Sequence, residues 1–197
     1  MKLFCTLRSP YARKVRVIAI EKKITLDLVE EDLVHKSAVF LKANPIAKVP
    51  TLLTDEGQCF CDSPIICEYL DTLHDDPIFI PRSTTERLIH LNDVSIADGL
   101  MDRTVGIFME RFIHGDGAHE GFIQKQEESV RLCLTYFEER IELLSSLNML
   151  SVAMGCAIGY VQFRLPHLCT KEQYPQLMAW YQSFNQRQSM QETMPVG

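Results

Sequence analysis

The sequence predicts an α/β domain followed by an all-helical domain. Strand-like apolar runs occur only in the first part of the chain, where they alternate with amphipathic helical patterns. Beyond them, the chain shows only long helical patterns separated by breaks rich in Gly and Pro. A mixed α/β pattern followed by an all-α pattern indicates two packed domains. Apolar residues make up 46% of the sequence, which is enough for a sizeable core.

The first part has the predicted element order βαβαββα. Strands are predicted at 2–6, 26–30, 49–54 and 58–61, and helices at 10–22, at 38–44 and from 63 onward. Pro10 suits the first turn of a helix, where a missing N–H costs nothing. The segment Asp55-Glu56-Gly57 favours a hairpin turn between the last two strands. Ser63 is a suitable N-cap for the third helix.

The remaining chain is predicted to be helical throughout. Helical patterns run over 86–112, 122–147, 151–163 and 174–185, with Ser151 as the predicted cap of the third of these helices. The segment before them has Pro77, Pro81 and little periodicity, which is typical of a linker. We therefore predict an α/β domain at 1–75, a linker at 76–84 and an all-α domain at 85–197.

Composition excludes several classes of function. The formal net charge is −6 and no basic block is present, which argues against direct nucleic-acid binding. No apolar window approaches the ~20 residues of a membrane span. The N-terminus has no signal-peptide core, and the seven Cys are odd in number, so we expect reduced thiols in the cytoplasm. Neither the His spacing nor Cys59-Phe60-Cys61 matches a metal site, so no metal is predicted.

Several motifs occur in a fixed order along the chain. The segment 9–16 follows the first strand, 44–50 precedes the third strand, and Asp62-Ser63 opens the third helix. With segments 97–102 and 155–164 of the helical part, they resemble the cytosolic glutathione S-transferase superfamily, and most closely its bacterial serine-type members. The resemblance implies a thioredoxin-like N-terminal domain and an all-helical C-terminal domain.

The resemblance also implies a glutathione-binding site. Ser9 would donate a hydrogen bond to the glutathione sulfur and hold it as a thiolate. The Val49 backbone would pair with the cysteinyl part like an added strand, beside a cis peptide at Pro50. Ser63 and its N–H would hold the γ-glutamyl carboxylate at a helix N-terminus, and Asp62 would meet the ligand ammonium.

Each of these residues also has a purely structural alternative. Ser9 and Ser63 are both suitable helix caps, and Pro50 could simply begin an edge strand. Lys48 pairs with the glycine carboxylate in some relatives, but it equally fits a solvated loop lysine. Many relatives have Gly at the position of Ala47, so the sequence predicts an ordinary φ and a slightly different turn there.

Two further side chains near Ser9 have competing interpretations. Arg13 could lie near the thiolate, although a surface or structural role is the better prediction. Cys5 lies within the first predicted strand and is expected in the core, whereas relatives that use Cys place it in the turn at or near Ser9.

The resemblance implies a glutathione transferase with Ser9 as the catalytic residue and glutathione as co-substrate. The enzyme would transfer glutathione to a small hydrophobic electrophile, or reduce a peroxide, and would form a homodimer. We expect the electrophile against the helix carrying Asp98 to Phe112. One alternative is a non-catalytic regulatory protein of the stress-response or RNA polymerase partner type. Another is thiol–disulfide exchange, which would depend on a Cys and survive Ser9→Ala.

Overall fold

The structure is a computed structural model that describes residues 1–196. The chain divides into two compact units. The first unit contains Met1–Ile80 together with residues 188–196, and the second contains Pro81–Arg187. Among the described residues, no helix has both the length and the apolar character that crossing a membrane requires.

The first unit is built on a four-stranded sheet with the strand order β2-β1-β3-β4. The strands are β1 (Lys2–Cys5), β2 (Asp27–Glu30), β3 (Thr51–Leu53) and β4 (Cys59–Cys61). β1 pairs with β2 in parallel, and the other two pairs are antiparallel. Three helices complete this part: α1 (Pro10–Glu21), α2 (Ala38–Ala43) and α3 (Ser63–Thr72). The predicted order βαβαββα is therefore confirmed, and the unit has the thioredoxin-like fold.

α1 packs against α3, and its buried side chains include Val15, Ile18 and Ala19, which form an apolar face at helical spacing. A buried ion pair joins the two helices, with Lys22 Nζ 3.1 Å from Asp71 Oδ1 and both side chains fully buried. Lys22 also donates to the carbonyl oxygens of His74 and Pro77, and Asp71 accepts the N–H groups of Phe79 and Ile80. Because these bonds satisfy both charges, the cluster holds the chain up to Ile80 against the first unit, well into the segment predicted as a linker.

The second unit is helical, as predicted. Its helices are α4 (Thr84–His114), α5 (Glu120–Glu138), α6 (Met149–Arg164) and α7 (Pro175–Phe184). α6 is buried on all sides from Met149 to Val161, which identifies it as the centre of this unit's core. α4 packs against both α5 and α6.

The bounds of α4 and α7 differ by one or two residues from the sequence prediction, and the end of α5 and the start of α6 differ for an identifiable reason. α5 ends at Glu138 rather than at 147, because the backbone leaves the helical region at Arg140, with φ −133° and ψ 41°. The Glu138 carboxylate accepts the N–H groups of Gln176 and Leu177 at the start of α7. A 3-10 turn over Ile141–Leu144 then replaces the expected helix. α6 begins at Met149 and is capped by Asn148, while Ser151 is the reciprocal partner of a capping box and not the cap.

A short last helix, α8 (Gln188–Gln191), was not predicted from the sequence. It packs on α1, where Arg13 donates to the Met190 carbonyl at 3.1 Å and to Thr193 Oγ1 at 3.4 Å. Arg16 donates to the Glu192 carbonyl at 3.2 Å. The end of the described chain therefore returns to the first unit, whereas the sequence assigns it to the helical domain.

Candidate functional site

The sheet register brings the predicted site segments to one edge. Phe4, near the carboxyl end of β1, is opposite Thr51, the first residue of β3. Thr51 is in turn opposite Cys61, the last residue of β4. The end of β1, the start of β3 and the end of β4 therefore lie side by side, separated by steps of about 4.8 Å between neighbouring strands.

Each strand end leads directly into a predicted site segment. Ser9 follows β1, Val49-Pro50 precedes β3, and Asp62-Ser63 follows β4. Because α1 begins just after Ser9 and α3 begins at Ser63, two helix N-termini open at the same edge. Helix N-termini carry unpaired N–H groups and partial positive charge, so this edge favours an anionic ligand.

Ser9 is the N-cap of α1 and is half-buried. Its Oγ accepts the N–H of Ala12 at 3.2 Å, and its carbonyl accepts the N–H of Arg13 at 2.9 Å. A hydroxyl that accepts a hydrogen bond keeps its own hydrogen available. The capping role and the donor role are therefore compatible, and Ser9 can cap α1 while its O–H points to a ligand atom.

The segment before β3 is fixed by Asn44, which the sequence analysis did not single out. Its buried amide donates to the Lys48 carbonyl at 2.9 Å and to Thr51 Oγ1 at 2.8 Å, and its Oδ1 accepts the Ile46 N–H at 2.9 Å. The Asn-Pro step was the available signal, because Asn side chains commonly bond to the backbone two residues on. Asn44 thereby determines the path of the backbone through Val49.

Within this segment the Val49–Pro50 peptide is cis, as predicted. Val49 is half-buried, and among residues 1–196 neither its N–H nor its carbonyl makes a backbone hydrogen bond. Lys48 is exposed and has no ion-pair partner within the described part of the chain. The expectation for Ala47 was wrong, since this residue has a φ of +55°, so the turn keeps the left-handed conformation that Gly would favour.

At α3, the structure changes one detail of the predicted site. Asp62, not Ser63, is the N-cap, with a φ of +70° and its carboxylate accepting the Ser63 N–H at 2.7 Å. The Ser63 Oγ is buried and has no hydrogen-bond partner among residues 1–196. A non-Gly residue at positive φ beside an unpaired buried hydroxyl is typical of a ligand-binding position.

The Asp62 contact limits which donors a ligand can use at this helix. The Ser63 N–H, expected to hold a carboxylate, is already bonded to Asp62, and Pro64 has no N–H. The remaining donors of the first turn are the Ser63 hydroxyl and the Ile65 N–H. A carboxylate that binds here must therefore use those two groups or displace the Asp62 side chain.

The competing residues have other roles. Arg13 is buried and bonded to the C-terminal segment, which gives it a structural role. Cys5 is fully buried in β1, and burial is the main cause that raises its pKa, so the thiol stays protonated at neutral pH. Burial likewise raises the pKa of Cys169 to about 11. Neither thiol is a reactive nucleophile in these surroundings.

Among the described residues, no group of His, Cys, Asp and Glu side chains is arranged to hold a metal ion. His35 is exposed and lies 3.2 Å from Asp32, whose carboxylate also accepts the Val34 N–H. The backbone N–H groups of Val34 and His35 are the main cause that lowers the pKa of Asp32.

A thioredoxin-like unit with two helix N-termini at one sheet edge, followed by a helical unit, is typical of glutathione transferase-like proteins. The family model described as glutathione S-transferase, N-terminal domain, matches residues 3–78. The uncharacterized GST-like protein YibF of Escherichia coli K12 is 30% identical, covering 99% of this chain and 98% of that protein.

Two solved structures are similar over almost their full length. A glutathione transferase family member from Pseudomonas fluorescens Pf-5, with bound glutathione, has a TM-score of 0.91 and 33% identity, covering 100% of this chain and 99% of that chain. A glutathione S-transferase from Methylobacillus flagellatus KT, with GSH bound, has a TM-score of 0.93 and 34% identity, covering 99% of each chain. The chain therefore belongs to the glutathione S-transferase family.

Proposed function

We propose that the chain is a bacterial serine-type glutathione transferase that binds glutathione at the described sheet edge and transfers it to a small hydrophobic electrophile. The supporting observation is the convergence of Ser9, Val49 and Ser63 at that edge, where two helices begin. Both similar solved structures carry glutathione, which supports the same ligand here. A cytoplasmic location and a homodimeric state belong to the same proposal.

The dimensions of the edge suit a tripeptide. An extended tripeptide is about 10 Å long, and two strand steps from β1 to β4 also cover about 10 Å. The Val49 N–H and carbonyl lie at the middle strand and can pair with the cysteinyl backbone. The sulfur then lies towards Ser9, and the γ-glutamyl carboxylate lies towards the Ser63 hydroxyl, with its ammonium near Asp62.

Lys48 completes the proposed ligand contacts. It is exposed, has no ion-pair partner among residues 1–196, and directly precedes Val49. Its ammonium is therefore available for the glycine carboxylate of glutathione. Because this pair is exposed to water, we expect it to contribute modestly to affinity.

In this proposal, Ser9 stabilises the thiolate form of bound glutathione. A free thiol has a pKa of about 8.5, so little thiolate is present at neutral pH. The Ser9 O–H donates a hydrogen bond to the sulfur, and the N-terminus of α1 adds a favourable field, so the thiol loses its proton to water more readily. The thiolate attacks an electrophilic carbon, a carbon–sulfur bond forms, and the leaving group departs with its electron pair.

The first prediction concerns the pKa of the bound thiol. We expect glutathione bound to the wild-type protein to ionise below its free pKa, as followed by the ultraviolet absorbance of the thiolate across a pH series. Ser9→Ala should raise that pKa by about one to two units, because a hydrogen bond to a charged group contributes roughly 1.5–3 kcal/mol. Conjugation at neutral pH should fall accordingly, and the Kd for glutathione should rise only at pH values where the thiol bound to the wild type is ionised.

A matched control separates the loss of a helix cap from the loss of the hydrogen bond that the Ser9 hydroxyl donates to the sulfur. Ser37 also caps a helix, accepting the Phe40 N–H at 3.2 Å, so Ser37→Ala should lower stability without changing the thiol pKa. An unchanged thiol pKa in Ser9→Ala would refute the role of Ser9. If glutathione binds but no electrophile or peroxide is consumed, the chain is a binding protein and not an enzyme.

A further inference from the structure

The edge strand β4 carries two thiols on one face of the sheet. Side chains alternate along a strand, so Cys59 and Cys61 point to one side and Phe60 points to the other. The Phe60 ring stacks on Tyr69 of α3 with ring centres 4.4 Å apart, so the two thiols lie on the face away from α3. Within residues 1–196, neither thiol has a hydrogen-bond or ion-pair partner. No such bond therefore has to break before either thiol reacts.

Of the seven thiols, Cys59 is the exposed one. Cys61 and Cys133 are half-buried, and the other four are buried. Burial is the main cause that raises the pKa of Cys133, and it likewise raises the pKa of Cys5 and of Cys169. A thiol exchanges with a disulfide as its thiolate, and only where the disulfide can reach it. We therefore expect exchange to begin at Cys59, with Cys61 as the second thiol on the same strand face.

The extended form of β4 keeps these two thiols apart. Two residues along an extended strand are about 6.6 Å apart, whereas a disulfide joins Cβ atoms that lie roughly 3.5–4.5 Å apart. A bond between the two sulfurs therefore requires β4 to bend. Because β4 has three residues and pairs with β3 on one side only, it can bend without disturbing the pairing of β1 with β2 and β3.

A bend in β4 acts directly on the candidate glutathione site, because Cys61 precedes Asp62 in the chain. Asp62 has a φ of +70°, and its carboxylate accepts the Ser63 N–H at 2.7 Å. Displacing Cys61 changes the backbone that sets this angle, and with it the position of the Ser63 hydroxyl. Since we assign the γ-glutamyl part of glutathione to Asp62 and Ser63, the bend should weaken glutathione binding.

We propose that Cys59 and Cys61, which we call the β4 dithiol, are oxidised by glutathione disulfide to an internal disulfide that bends β4 and weakens glutathione binding. The Cys59 thiolate attacks one sulfur of glutathione disulfide, forms a mixed disulfide and releases one glutathione thiolate. Cys61, after losing its proton to water, attacks the Cys59 sulfur and releases the second glutathione thiolate. The two protein thiols are thereby oxidised, and one glutathione disulfide is reduced to two glutathione molecules. The effect on affinity rests on the proposed glutathione site, whereas the oxidation does not.

The first test follows the oxidation itself. The full chain is incubated with glutathione disulfide and quenched in acid, and its intact mass and free thiols are measured. We expect the wild type to lose two thiols and to retain no glutathionyl group. Cys61→Ser should stop at the mixed disulfide with one glutathionyl group, and Cys59→Ser should remain unmodified. Cys133→Ser is a matched control, because Cys133 is half-buried like Cys61, and this variant should oxidise as the wild type does.

The second test measures affinity. S-methylglutathione is the probe, because it has no free thiol and cannot reduce the disulfide. Calorimetric titration of the oxidised wild type should give a Kd about fivefold or more above that of the reduced protein, the loss expected when one hydrogen bond is misplaced. Reduction by a phosphine should restore the Kd. Cys59→Ser, treated in the same way, should keep its Kd throughout.

The outcomes separate this inference from the proposed function. A wild type that keeps its thiols, or that stops at the mixed disulfide, overturns the inference and leaves the glutathione site intact. A disulfide that leaves the Kd unchanged overturns the link between β4 and that site. If S-methylglutathione does not bind the reduced protein, the proposed function fails, and amide hydrogen exchange of β4 then decides the inference. Faster exchange in the disulfide form supports the bend, and unchanged exchange overturns it.

Discussion

At the residue scale, the candidate site combines ordinary helix caps with two strained positions. Ser9 keeps its hydroxyl hydrogen available although it caps α1. Asp62 and Ala47 both have positive φ values, at +70° and +55°. Residues with a Cβ avoid this region unless the surroundings enforce it. Both residues adjoin segments that we assign to glutathione, which is where such strain is expected to be retained.

Ala47 gives a prediction about stability. A left-handed conformation costs a residue with a Cβ about 1–2 kcal/mol, whereas introducing Gly costs roughly 0.4–1 kcal/mol through the greater entropy of the unfolded chain. Since the relief of backbone strain outweighs the entropy cost, Ala47→Gly should stabilise the protein by about 0.5–1 kcal/mol. Urea unfolding of the two proteins measures the difference.

The control for Ala47 is Ala179, an exposed residue inside α7. Ala179→Gly should destabilise the protein by about 1 kcal/mol, because its conformation is an ordinary helical one. A destabilised Ala47→Gly variant would show that the methyl group of Ala47 makes contacts that outweigh its backbone strain.

At the scale of elements, local patterns predicted most of the first unit. The strand and helix positions follow from apolar periodicity, and Ser9 was recognised as an N-terminal helix position because Pro10 follows it. The sequence did not predict α8, because four residues without an apolar stripe carry no helical signal. The Asn148 cap was missed because Ser151 is an equally good cap in sequence terms, and only tertiary packing decides between them.

The candidate site, too, could be predicted from the sequence only in part. The site motifs were found by their order along the chain, but the contact between Asp62 and the Ser63 N–H depends on a backbone angle that sequence does not reveal. The bonds of Asn44 to the Lys48 carbonyl and to Thr51 Oγ1 likewise depend on how the loop folds back. These contacts are the part of the site that needed a structure.

The segment between α2 and β3 supports a prediction about Asn44. Asn44→Ala removes three hydrogen bonds, of which the one to the Thr51 hydroxyl is buried, so we expect a loss of about 2 kcal/mol of stability. Because the Lys48 carbonyl keeps only its hydrogen bond from Thr51 Oγ1, the Val49 backbone should be less well positioned. The Kd for glutathione should therefore rise several-fold, as measured by calorimetric titration below the unfolding temperature.

Asn92 provides the control for Asn44, because it is exposed on α4. Asn92→Ala should change neither stability nor the Kd for glutathione. If Asn44→Ala loses stability but binds glutathione with the wild-type Kd, the 44–51 segment is not positioned by this amide and the proposed pairing through Val49 loses its support.

At the scale of the whole molecule, the chain crosses between its two units twice. It leaves the first unit after Ile80 and returns at residue 188, where Ser189, Met190 and Thr193 are buried. The return segment gives the buried Arg13 guanidinium its hydrogen-bond partners on the helix that Ser9 caps. We infer that residues 188–194 stabilise α1 and, through it, the candidate glutathione site.

Truncation tests this inference. A chain ending at Arg187 loses the buried side chain of Met190, whose burial contributes about 1.5–3 kcal/mol. It also leaves the Arg13 guanidinium without its partners, at a cost of about 1–3 kcal/mol. We therefore expect the truncated protein to unfold at a clearly lower temperature and to bind glutathione more weakly. A chain ending at Met194 keeps Met190 and Thr193 and should match the full-length protein. Equal unfolding temperatures for all three chains would show that the return segment rests on α1 without stabilising it.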